Sequence, residues 1–516
     1  MLRTSLVFAG LLLTSLQPPA QLSQTFDVLI RNGRVMDGSG NPWLRADVGI
    51  RGDRIAAVGR LTGAAGRVTI EATDRLVAPG FIDVHSHALE GLVRAELREG
   101  LPLLAQGVTT IVGNPDGGGS VDLAAQRQRL ESGGIGPNAA LLIGHGAVRA
   151  AVMGQANRAP TADELERMRE LVKRGMQEGA FGLSSGLFYT PGSFAKTEEV
   201  IALAAVAGEF GGLYTSHIRD EGDYGIGVVA SVDEVIRIAD EAHVIGIVTH
   251  MKALGPDSWG LAAAMIQHID AARARGVQVF ADQYAYEASS TSLRAALLPG
   301  GVPTPAADDA AMRAEVEPIV RENIRRRGGA TAIVLASYAP DHALEGRSLA
   351  QIAEARSVPA ERAALDLLAR GNASIVSFNM TDRDIEAIMR QPYTMTSSDG
   401  GLVLMNEGKP HPRNYGAFAR KLAVYVRERK TVSLESAIRS MTSLPAAVFS
   451  IRDRGIIREG AFADVVVFDP ARVRDRATYT DPHQLAEGMD YVLVNGVVVV
   501  DGGTFTKATP GRVLRK

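Results

Sequence analysis

Hydrophobic and polar positions follow one pattern at the two ends of the chain and another in its middle. Near the start, FDVLIRNGRVMDGSGNPWLRADVGIRGDRIAAVGR interleaves short β-branched runs with Asn-Gly, Asp-Gly and Gly-Asp pairs, which are typical of β-hairpin turns. Near the end, VLVNGVVVVDGG repeats the pattern of VLIRNGRVMDGSG almost residue for residue. Neither end has enough strands to bury its apolar face alone, so we predict that the two ends form one small β-sandwich.

Between the two ends, short apolar runs alternate with longer segments of helical period. Segments such as TEEVIALAAVAGEF and SVDEVIRIADEAHV carry apolar residues three and four positions apart. Eight strand candidates lie in GFIDVHSH, VTTIVGN, AALLIGHG, GAFGLSSG, GLYTSHIRD, GIVTHMKALG, VQVFADQYAY and YTMTSSDGG. Eight such units favour an α/β fold with a closed (β/α)8 TIM barrel. An open doubly wound sheet is the alternative, but no G-x-G-x-x-G opens a helix after the first strand.

The pattern divides the chain into parts. We predict a signal peptide at 1–20, one part of the sandwich at 21–77, the barrel at 78–450 with an insertion at about 300–390, and the other part of the sandwich at 451–516. The signal is predicted because Arg3 precedes the apolar SLVFAGLLLTSL and the breaker-rich QPPAQ. That run is shorter than the roughly 20 residues of a membrane-spanning helix. We therefore expect an exported protein, periplasmic or secreted, without a stable membrane span; an uncleaved anchor is the alternative.

Composition and charge narrow the classes of function. The chain has 516 residues, of which 22% are charged, and a formal net charge of -3. This balance gives no reason to expect nucleic acid, whose binders usually carry a basic face. The most basic cluster, RENIRRRGG from Arg321, is interpreted as the solvated end of a helix. There is no cysteine, which excludes thiol catalysis, disulfides and thiolate metal ligands.

Histidines fall at the ends of the predicted strands, where a (β/α)8 barrel exposes its reactive groups. His85 and His87 end the first strand, His217 the fifth and His250 the sixth, and Asp399 ends the eighth. Because alternate side chains of a strand point to the same side, His85 and His87 can reach one ion. Histidine and carboxylate ligands without thiolate favour zinc, as one or two ions, with other divalent metals as alternatives.

This arrangement resembles the amidohydrolase superfamily of metal-dependent hydrolases, over nearly the whole chain after the predicted signal. Within that superfamily, GAFGLSSGLFYTPGSF, SHIRDEGD, THMKALG and TSSDGG resemble the D-aminoacylases, which are N-acyl-D-amino-acid deacylases. The resemblance implies that zinc is held by the four histidines and Asp399. It also implies that Lys252, two positions after His250, binds the α-carboxylate of the substrate.

Two departures from the D-aminoacylase pattern concern the ligand set and the pocket. D-aminoacylases place a cysteine ligand after the second strand, where this chain reads VGNPDGGGS. The first candidate to replace it is Lys196, as a carboxylated bridging lysine, and the second is Asp116. A solvent-facing helix lysine, a turn residue and a single-metal site without a bridge are the alternatives. Ala88 stands where an acidic residue is usual, and we expect this change to affect the substrate rather than the metal.

The implied reaction is hydrolysis of the amide bond of an N-acyl amino acid or a dipeptide by a metal-bound hydroxide. Asp399 would act as general acid and base, and Tyr286 would stabilise the oxyanion unless it only packs at the barrel mouth. Further candidates for the substrate pocket are Arg219, Arg413, His145 and Arg149, with a rim salt bridge as the alternative for Arg219 and Arg413. Competing functions are hydrolysis of cyclic amides or lactones and an inactive barrel scaffold or binding protein. The D preference rests on the resemblance alone.

Overall fold

A computed structural model describes residues 25–516 of the chain. The predicted signal peptide at 1–20 lies outside these residues. Within the described range, no helix combines the length and the apolar character needed to cross a membrane.

Five strands open the described chain: β1 (Thr25–Val35), β2 (Leu44–Arg51), β3 (Arg54–Gly59), β4 (Ala65–Glu71) and β5 (Leu76–Pro79). Strands β1 to β3 form an antiparallel meander, and β1 also pairs in parallel with β4 and then with β5. The turn between β2 and β3 places Gly52 at φ +55°, a conformation that glycine adopts readily and that the predicted hairpin requires.

Eight strand positions form the barrel, and each predicted strand segment contains one of them. They are β6 (Phe81–Asp83), β7 (Val108–Gly113), β8 (Asn138–Leu141) continued by β9 (Ile143–Gly144), β10 (Gly182–Gly186), β11 (Leu213–His217), β12 (Gly246–Val248), β13 (Val279–Gln283) and, after an insertion, β17 (Thr394–Thr396). Neighbouring strands are parallel. The barrel closes just beyond β17 and β6, where Asp399 N donates to His85 O at 2.9 Å and His87 N donates to Gly400 O at 2.8 Å.

Helices connect the strands and cover the barrel. In chain order they are α1 (Leu89–Leu92), α2 (Leu101–Leu104), α3 (Leu123–Gly133), α4 (His145–Met153), α5 (Ala162–Gln177), α6 (Thr197–Glu209), α7 (Val228–Glu241), α8 (Ala262–Ala274), α9 (Leu293–Leu297), α10 (Ala310–Arg326), α11 (Leu349–Arg356), α12 (Ala360–Arg370), α13 (Asp382–Met389), α14 (Arg413–Arg420), α15 (Leu434–Met441) and α16 (Ser443–Phe449), with a π-helical segment at Lys421–Glu428. Helix α7 shows why they pack, because Val228, Val232, Val235 and Ala239 form one buried stripe at helical spacing.

The insertion forms a small unit with its own core. It holds β14 (Ala288–Ser292), β15 (Ile333–Ser337), β16 (Ser374–Phe378) and helices α9 to α12. Strand β16 is central and antiparallel to both neighbours. The sequence placed the start of the insertion at about residue 300. The unit starts earlier, because its first strand, β14, begins at Ala288, soon after the seventh barrel strand. Its first strand therefore lies beside the barrel rim.

The last strands join the two ends of the chain in one sheet. They are β18 (Val465–Phe468), β19 (Met489–Val494), β20 (Val497–Asp501) and β21 (Thr504–Phe505). Strand β18 pairs antiparallel with β5, so the two ends of the chain come together as predicted, but they form one continuous nine-stranded sheet and not the β-sandwich that the sequence predicted. Side chains of β18 alternate: Val465 and Val467 join the core of the sheet, whereas Val466 and Phe468 join the core of the barrel.

Candidate metal centre and active site

Six side chains converge beyond the carboxyl ends of the barrel strands. His85 and His87 follow β6, Asp116 follows β7, His217 ends β11, His250 follows β12 and Asp399 follows β17. Asp116, His250 and Asp399 have φ values of +56°, +35° and +50°. Such a left-handed backbone costs a non-glycine residue about 1–3 kcal/mol and is typical of functional sites. The strained backbone aims these three side chains into the space enclosed by the strand ends.

Two carboxylates lie against the first pair of imidazoles. His85 Nε2 is 3.3 Å from Asp116 Oδ1 and 3.5 Å from Asp399 Oδ1. His87 Nε2 is 3.4 Å from Asp116 Oδ2 and 3.2 Å from Asp399 Oδ1. The two histidines therefore face the same two carboxylates, as their spacing predicted.

Asp116 also contacts the second pair of imidazoles. His217 Nδ1 and His250 Nε2 are 2.9 Å apart, and Asp116 Oδ1 lies 3.8 Å and 3.7 Å from these two nitrogens. Asp116 is thus within contact distance of all four histidines. This is the position that a ligand bridging two ions would occupy.

The cluster fits a metal ion. Within residues 25–516, several of its buried polar atoms have no hydrogen-bond partner: both ring nitrogens of His85, Oδ1 of Asp116 and Nε2 of His217. An unsatisfied buried polar atom costs about 1–3 kcal/mol. A bound cation would supply the missing partner for such atoms in this cluster. Imidazole nitrogens and carboxylate oxygens without sulfur suit zinc and other divalent transition ions. The cluster contains the four histidines and Asp399 that the sequence singled out, together with Asp116, the second of the two candidates for the remaining ligand.

Both carboxyl groups are held in the ionised form. Burial acts to raise their pKa values, but the imidazoles around Asp116 and the Arg413 guanidinium beside Asp399 outweigh it and hold both pKa values well below their usual range. The Asp399 carboxylate can therefore accept a proton or bind a cation at neutral pH.

Two further aspartates, which the sequence analysis missed, position the ligands. Asp83 accepts hydrogen bonds from the backbone N–H groups of His85 at 3.3 Å and Ser398 at 2.9 Å. Asp282 Oδ1 accepts from the backbone N–H of His250 at 2.9 Å. Asp83 is the last residue of β6 and Asp282 the last but one of β13, and each fixes the backbone at a ligand. The aspartate in FIDVHSH was a visible signal, because it precedes His85 by two positions.

A cavity of about 440 Å³ opens above the metal cluster. Lys252, Tyr284 and Arg413 reach it together with Glu221, which the sequence analysis also missed. Glu221 contacts the Lys252 ammonium directly, and its Oε1 lies 2.9 Å from His250 Nδ1. Lys252 thus stands beside the metal cluster as predicted, but a carboxylate partly neutralises it.

Comparison with known proteins places the chain in a family. A model of the amidohydrolase family matches residues 68–500. The chain belongs to the amidohydrolase family. It is 36% identical to a D-aminoacylase and 37% identical to an N-acyl-D-glutamate deacylase, both from Alcaligenes xylosoxydans xylosoxydans, over 96% of this chain and 98% of each relative. It also matches the crystal structure of an N-acyl-D-glutamate deacylase from Bordetella bronchiseptica, complexed with zinc and a phosphonate inhibitor, with TM-score 0.82 and 36% identity over 96% of this chain and 100% of that one.

In this amidohydrolase, the prediction that Tyr286 donates to the oxyanion is wrong. Its hydroxyl points away from the cavity and donates weakly to Pro412 O at 3.4 Å and Asp475 Oδ2 at 3.5 Å. Tyr284 lines the cavity instead, and its buried hydroxyl has no partner among the described residues. The register changes because the chain leaves β13 at Gln283, after which the alternation of a strand no longer holds.

Lys196, the first candidate for a bridging ligand, does not lie in the metal centre of this amidohydrolase. It is exposed and occupies the position before the first residue of α6. A residue at the start of a barrel helix, one loop beyond the strand end, is too far out to reach the cluster. Asp116, the second candidate, lies within 3.8 Å of a ring nitrogen of each of the four histidines and would be placed to hold a metal together with them.

Three other predicted pocket residues form structural contacts in this amidohydrolase. Arg219 donates to both oxygens of Glu234, at 2.7 and 2.9 Å, which is the salt bridge considered as the alternative. His145 Nε2 lies 3.0 Å from Glu199 Oε1, and Arg149 contacts the other oxygen of Glu199. None of the three predicted residues lines the cavity. Arg413 does line it, and its Nη1 donates to Asp399 Oδ2 at 2.7 Å.

Proposed function

We propose that the protein is a zinc-dependent hydrolase that cleaves N-acyl-D-amino acids to a carboxylate and a free D-amino acid. The observation that carries the proposal is Asp399, an ionised carboxylate between the histidine cluster and the cavity. The names of the two curated relatives support the substrate class, since one is a D-aminoacylase and the other an N-acyl-D-glutamate deacylase. The match over nearly the full length of both chains supports the same chemistry.

Zinc would be held by the four histidines, with Asp116 between the two pairs and Asp399 at the first pair. When bound, such an ion lowers the pKa of water and polarises a carbonyl group. Asp399 has two differently placed oxygens, because Oδ2 accepts from Arg413 and Oδ1 faces His85 and His87. Oδ1 is therefore the atom that takes the proton from the attacking water and returns it to the leaving amine nitrogen.

Tyr284 and Lys252 hold the substrate in this proposal. The unpaired Tyr284 hydroxyl is a donor at the cavity wall, and Lys252 supplies a cation for the α-carboxylate two positions after His250. Glu221 and Lys252 form a pair, so the ammonium is fixed in place before the substrate arrives. This positioning reduces the freedom that binding must remove.

The proposal is tested with purified, zinc-loaded protein and paired substrates. We expect cleavage of N-acetyl-D-amino acids and little or none of the matching N-acetyl-L-amino acids. An Asp399→Asn variant should lose about 10²- to 10⁴-fold in kcat, as is typical when a general acid/base is removed. A Lys196→Ala variant is the matched control and should keep full activity. Hydrolysis of cyclic amides or lactones alone, or no hydrolysis at all by zinc-loaded protein, would contradict the proposal.

We also propose that the protein is exported. The support is the predicted signal at residues 1–20, an arginine followed by an apolar run and a small-residue cleavage region. Expression of the full chain in a Gram-negative host should give a shortened product in the periplasmic fraction, whereas a chain that starts at Gln21 should stay in the cytoplasm. Retention of the full-length chain in the cytoplasm would contradict export.

A further inference from the structure

One wall of the cavity is rich in unpaired hydrogen-bond donors. Arg327, Tyr224 and Ser289 all line it. Within the described part of the chain, Arg327 Nε, the Tyr224 hydroxyl and Ser289 Oγ are buried and have no hydrogen-bond partner. Buried donors without partners are costly, so this wall suits a ligand that supplies acceptors.

Arg327 links the residues of this wall. It is the last residue of the basic run that the sequence analysis placed in solvent, but it is only 2% exposed. Its Nη1 donates to Ser377 Oγ at 3.2 Å, and Ser377 pairs with Ser289 across strands β16 and β14. Residues paired in this way project from the same face of a sheet, which places Ser289 beside the guanidinium. Arg327 also lies over the Tyr224 ring, 5.9 Å from its centre.

The other cavity cations already have carboxylate partners, and Arg327 does not. Lys252 contacts Glu221, and Arg413 contacts Asp399. Among residues 25–516, no carboxylate lies within 4.0 Å of the Arg327 guanidinium. A buried cation without a counter-ion is strongly unfavourable, so the Arg327 site is electrostatically incomplete without an anion.

We infer that Arg327, Tyr224 and Ser289 form a subsite for a carboxylate on the substrate side chain, so that the enzyme prefers N-acyl derivatives of D-glutamate or D-aspartate. This inference rests on the proposed function and specifies its substrate. A guanidinium presents several N–H groups to a carboxylate, and the two hydroxyls add donors for its remaining lone pairs.

The position of the wall assigns it to the side chain rather than to the α-carboxylate. Lys252 and Arg413 contact His250 and Asp399, which belong to the metal cluster where the amide must lie. Arg327 contacts none of the six residues of that cluster; it is carried by the insertion, at the end of α10. A substrate with two carboxylates can therefore engage both groups of cations at once.

The test compares N-acetyl-D-glutamate with N-acetyl-D-glutamine, which has nearly the same shape but no side-chain charge. We expect the zinc-loaded enzyme to favour glutamate by roughly 10- to 100-fold in kcat/KM, the usual effect of a hydrogen-bonded charge. Arg327→Met should remove this preference by raising KM for N-acetyl-D-glutamate. KM for N-acetyl-D-glutamine should change by less than about threefold. Arg327→Lys should restore part of the preference, because it restores the charge without the forked geometry.

Arg325→Met is the matched control, since Arg325 is exposed on the same helix and pairs with Glu322 and Asp257. This variant should have the same kcat/KM as the wild-type enzyme for both substrates. Tyr224→Phe keeps the aromatic ring and removes one donor, so it should lower the preference without disturbing the fold even if Arg327→Met does not fold. Zinc content and thermal unfolding check each variant.

Three outcomes would overturn the inference. They are equal activity of the wild-type enzyme on both substrates, an equal loss on both in folded Arg327→Met, and an unchanged preference in Tyr224→Phe and Arg327→Lys together. Failure of the proposed function would look different. The zinc-loaded wild-type enzyme would then hydrolyse no N-acetyl-D-amino acid, including N-acetyl-D-glutamate and N-acetyl-D-glutamine.

Discussion

Arg413 fixes one oxygen of Asp399 and leaves the other to the metal cluster. The guanidinium donates to Oδ2 at 2.7 Å, while Oδ1 lies 3.5 Å from His85 Nε2 and 3.2 Å from His87 Nε2. Both side chains are buried, so the interaction is weakly screened by solvent. Arg413 is therefore a positioning residue for Asp399 and also the main favourable charge that keeps it ionised.

Replacing Arg413 should shift the pH dependence of the reaction. Burial raises the pKa of Asp399 and Arg413 opposes it, so Arg413→Gln should raise that pKa. As the pH is lowered, Asp399 then becomes protonated at a higher pH in the variant than in the wild-type enzyme. We expect the acidic limb of the kcat/KM profile to move upward by about one to three pH units. Arg413→Lys keeps a charge and should move the limb less. An unshifted limb in active Arg413→Gln would contradict the role of Arg413.

Asp116 should control metal binding. It lies within contact distance of all four histidines, so Asp116→Ala should weaken zinc binding by more than the roughly 10- to 100-fold typical of residues outside the ligand set. Asp116→Asn tolerates the φ of +56° better than alanine and removes only the charge. Asp116→Cys supplies a thiolate and should keep most of the affinity.

The measurement for Asp116 is zinc per chain after dialysis against chelators of increasing strength, which does not depend on activity. Lys196→Ala is the control and should bind zinc like the wild type, because Lys196 is exposed outside the cluster. Wild-type zinc content in both Asp116→Ala and Asp116→Asn would show that Asp116 is not a ligand.

The barrel and its histidines could be predicted from the sequence because they follow regular rules. The two-residue spacing of His85 and His87 predicted that they share one side, and they do so although β6 itself ends at Asp83. The rim of a barrel gathers strand ends that lie far apart in the chain. The same rules found His217, His250 and Asp399. Contacts between residues far apart in the chain did not have to be predicted one by one, because closure of the barrel brings all the strand ends together.

The residues that the sequence analysis misplaced lie where those rules stop. Tyr286 was chosen because it follows the seventh predicted strand, but that strand ends at Gln283 and Tyr284 takes the cavity position. Arg327 was placed in solvent by its basic neighbours, because nothing local shows that the insertion packs against the barrel mouth. Glu221 was missed because its partner, Lys252, follows a different strand. Contacts between loops depend on tertiary packing that periodicity does not encode.

The Lys252 ammonium and the Glu221 carboxylate should have opposite effects on binding of the substrate α-carboxylate. Lys252→Met removes the cation for the α-carboxylate and leaves Glu221 to repel it, so KM for N-acyl-D-amino acids should rise by roughly 10- to 100-fold. Adding Glu221→Gln removes the repulsion and should recover part of this loss. Steady-state kinetics of the two single variants and the double variant measure the coupling. Strictly additive effects would show that the two residues act independently.

A buried lysine beside the last barrel strand gives a prediction about stability. Lys421 donates hydrogen bonds of 2.8 Å to Thr396 Oγ1 and Ser440 Oγ. Burial lowers its pKa to about 7, from the ordinary value of 10.5. Between these two pH values the unfolded chain binds the proton and the folded protein does not, so stability rises with pH. Below pH 7 both states are protonated and the full cost of the buried charge remains.

Lys421→Met should therefore stabilise the protein most at and below pH 7. Relative to wild type, its advantage in the free energy of unfolding should shrink by about 1.4 kcal/mol per pH unit between pH 7 and pH 10, because the wild type recovers stability as Lys421 loses its proton. Thermal unfolding of both proteins at pH 6.5, 8 and 9.5 measures this difference. Lys173→Met, which removes an exposed lysine, should show no such trend. A constant difference between Lys421→Met and wild type across this range would mean that Lys421 stays charged in the folded protein.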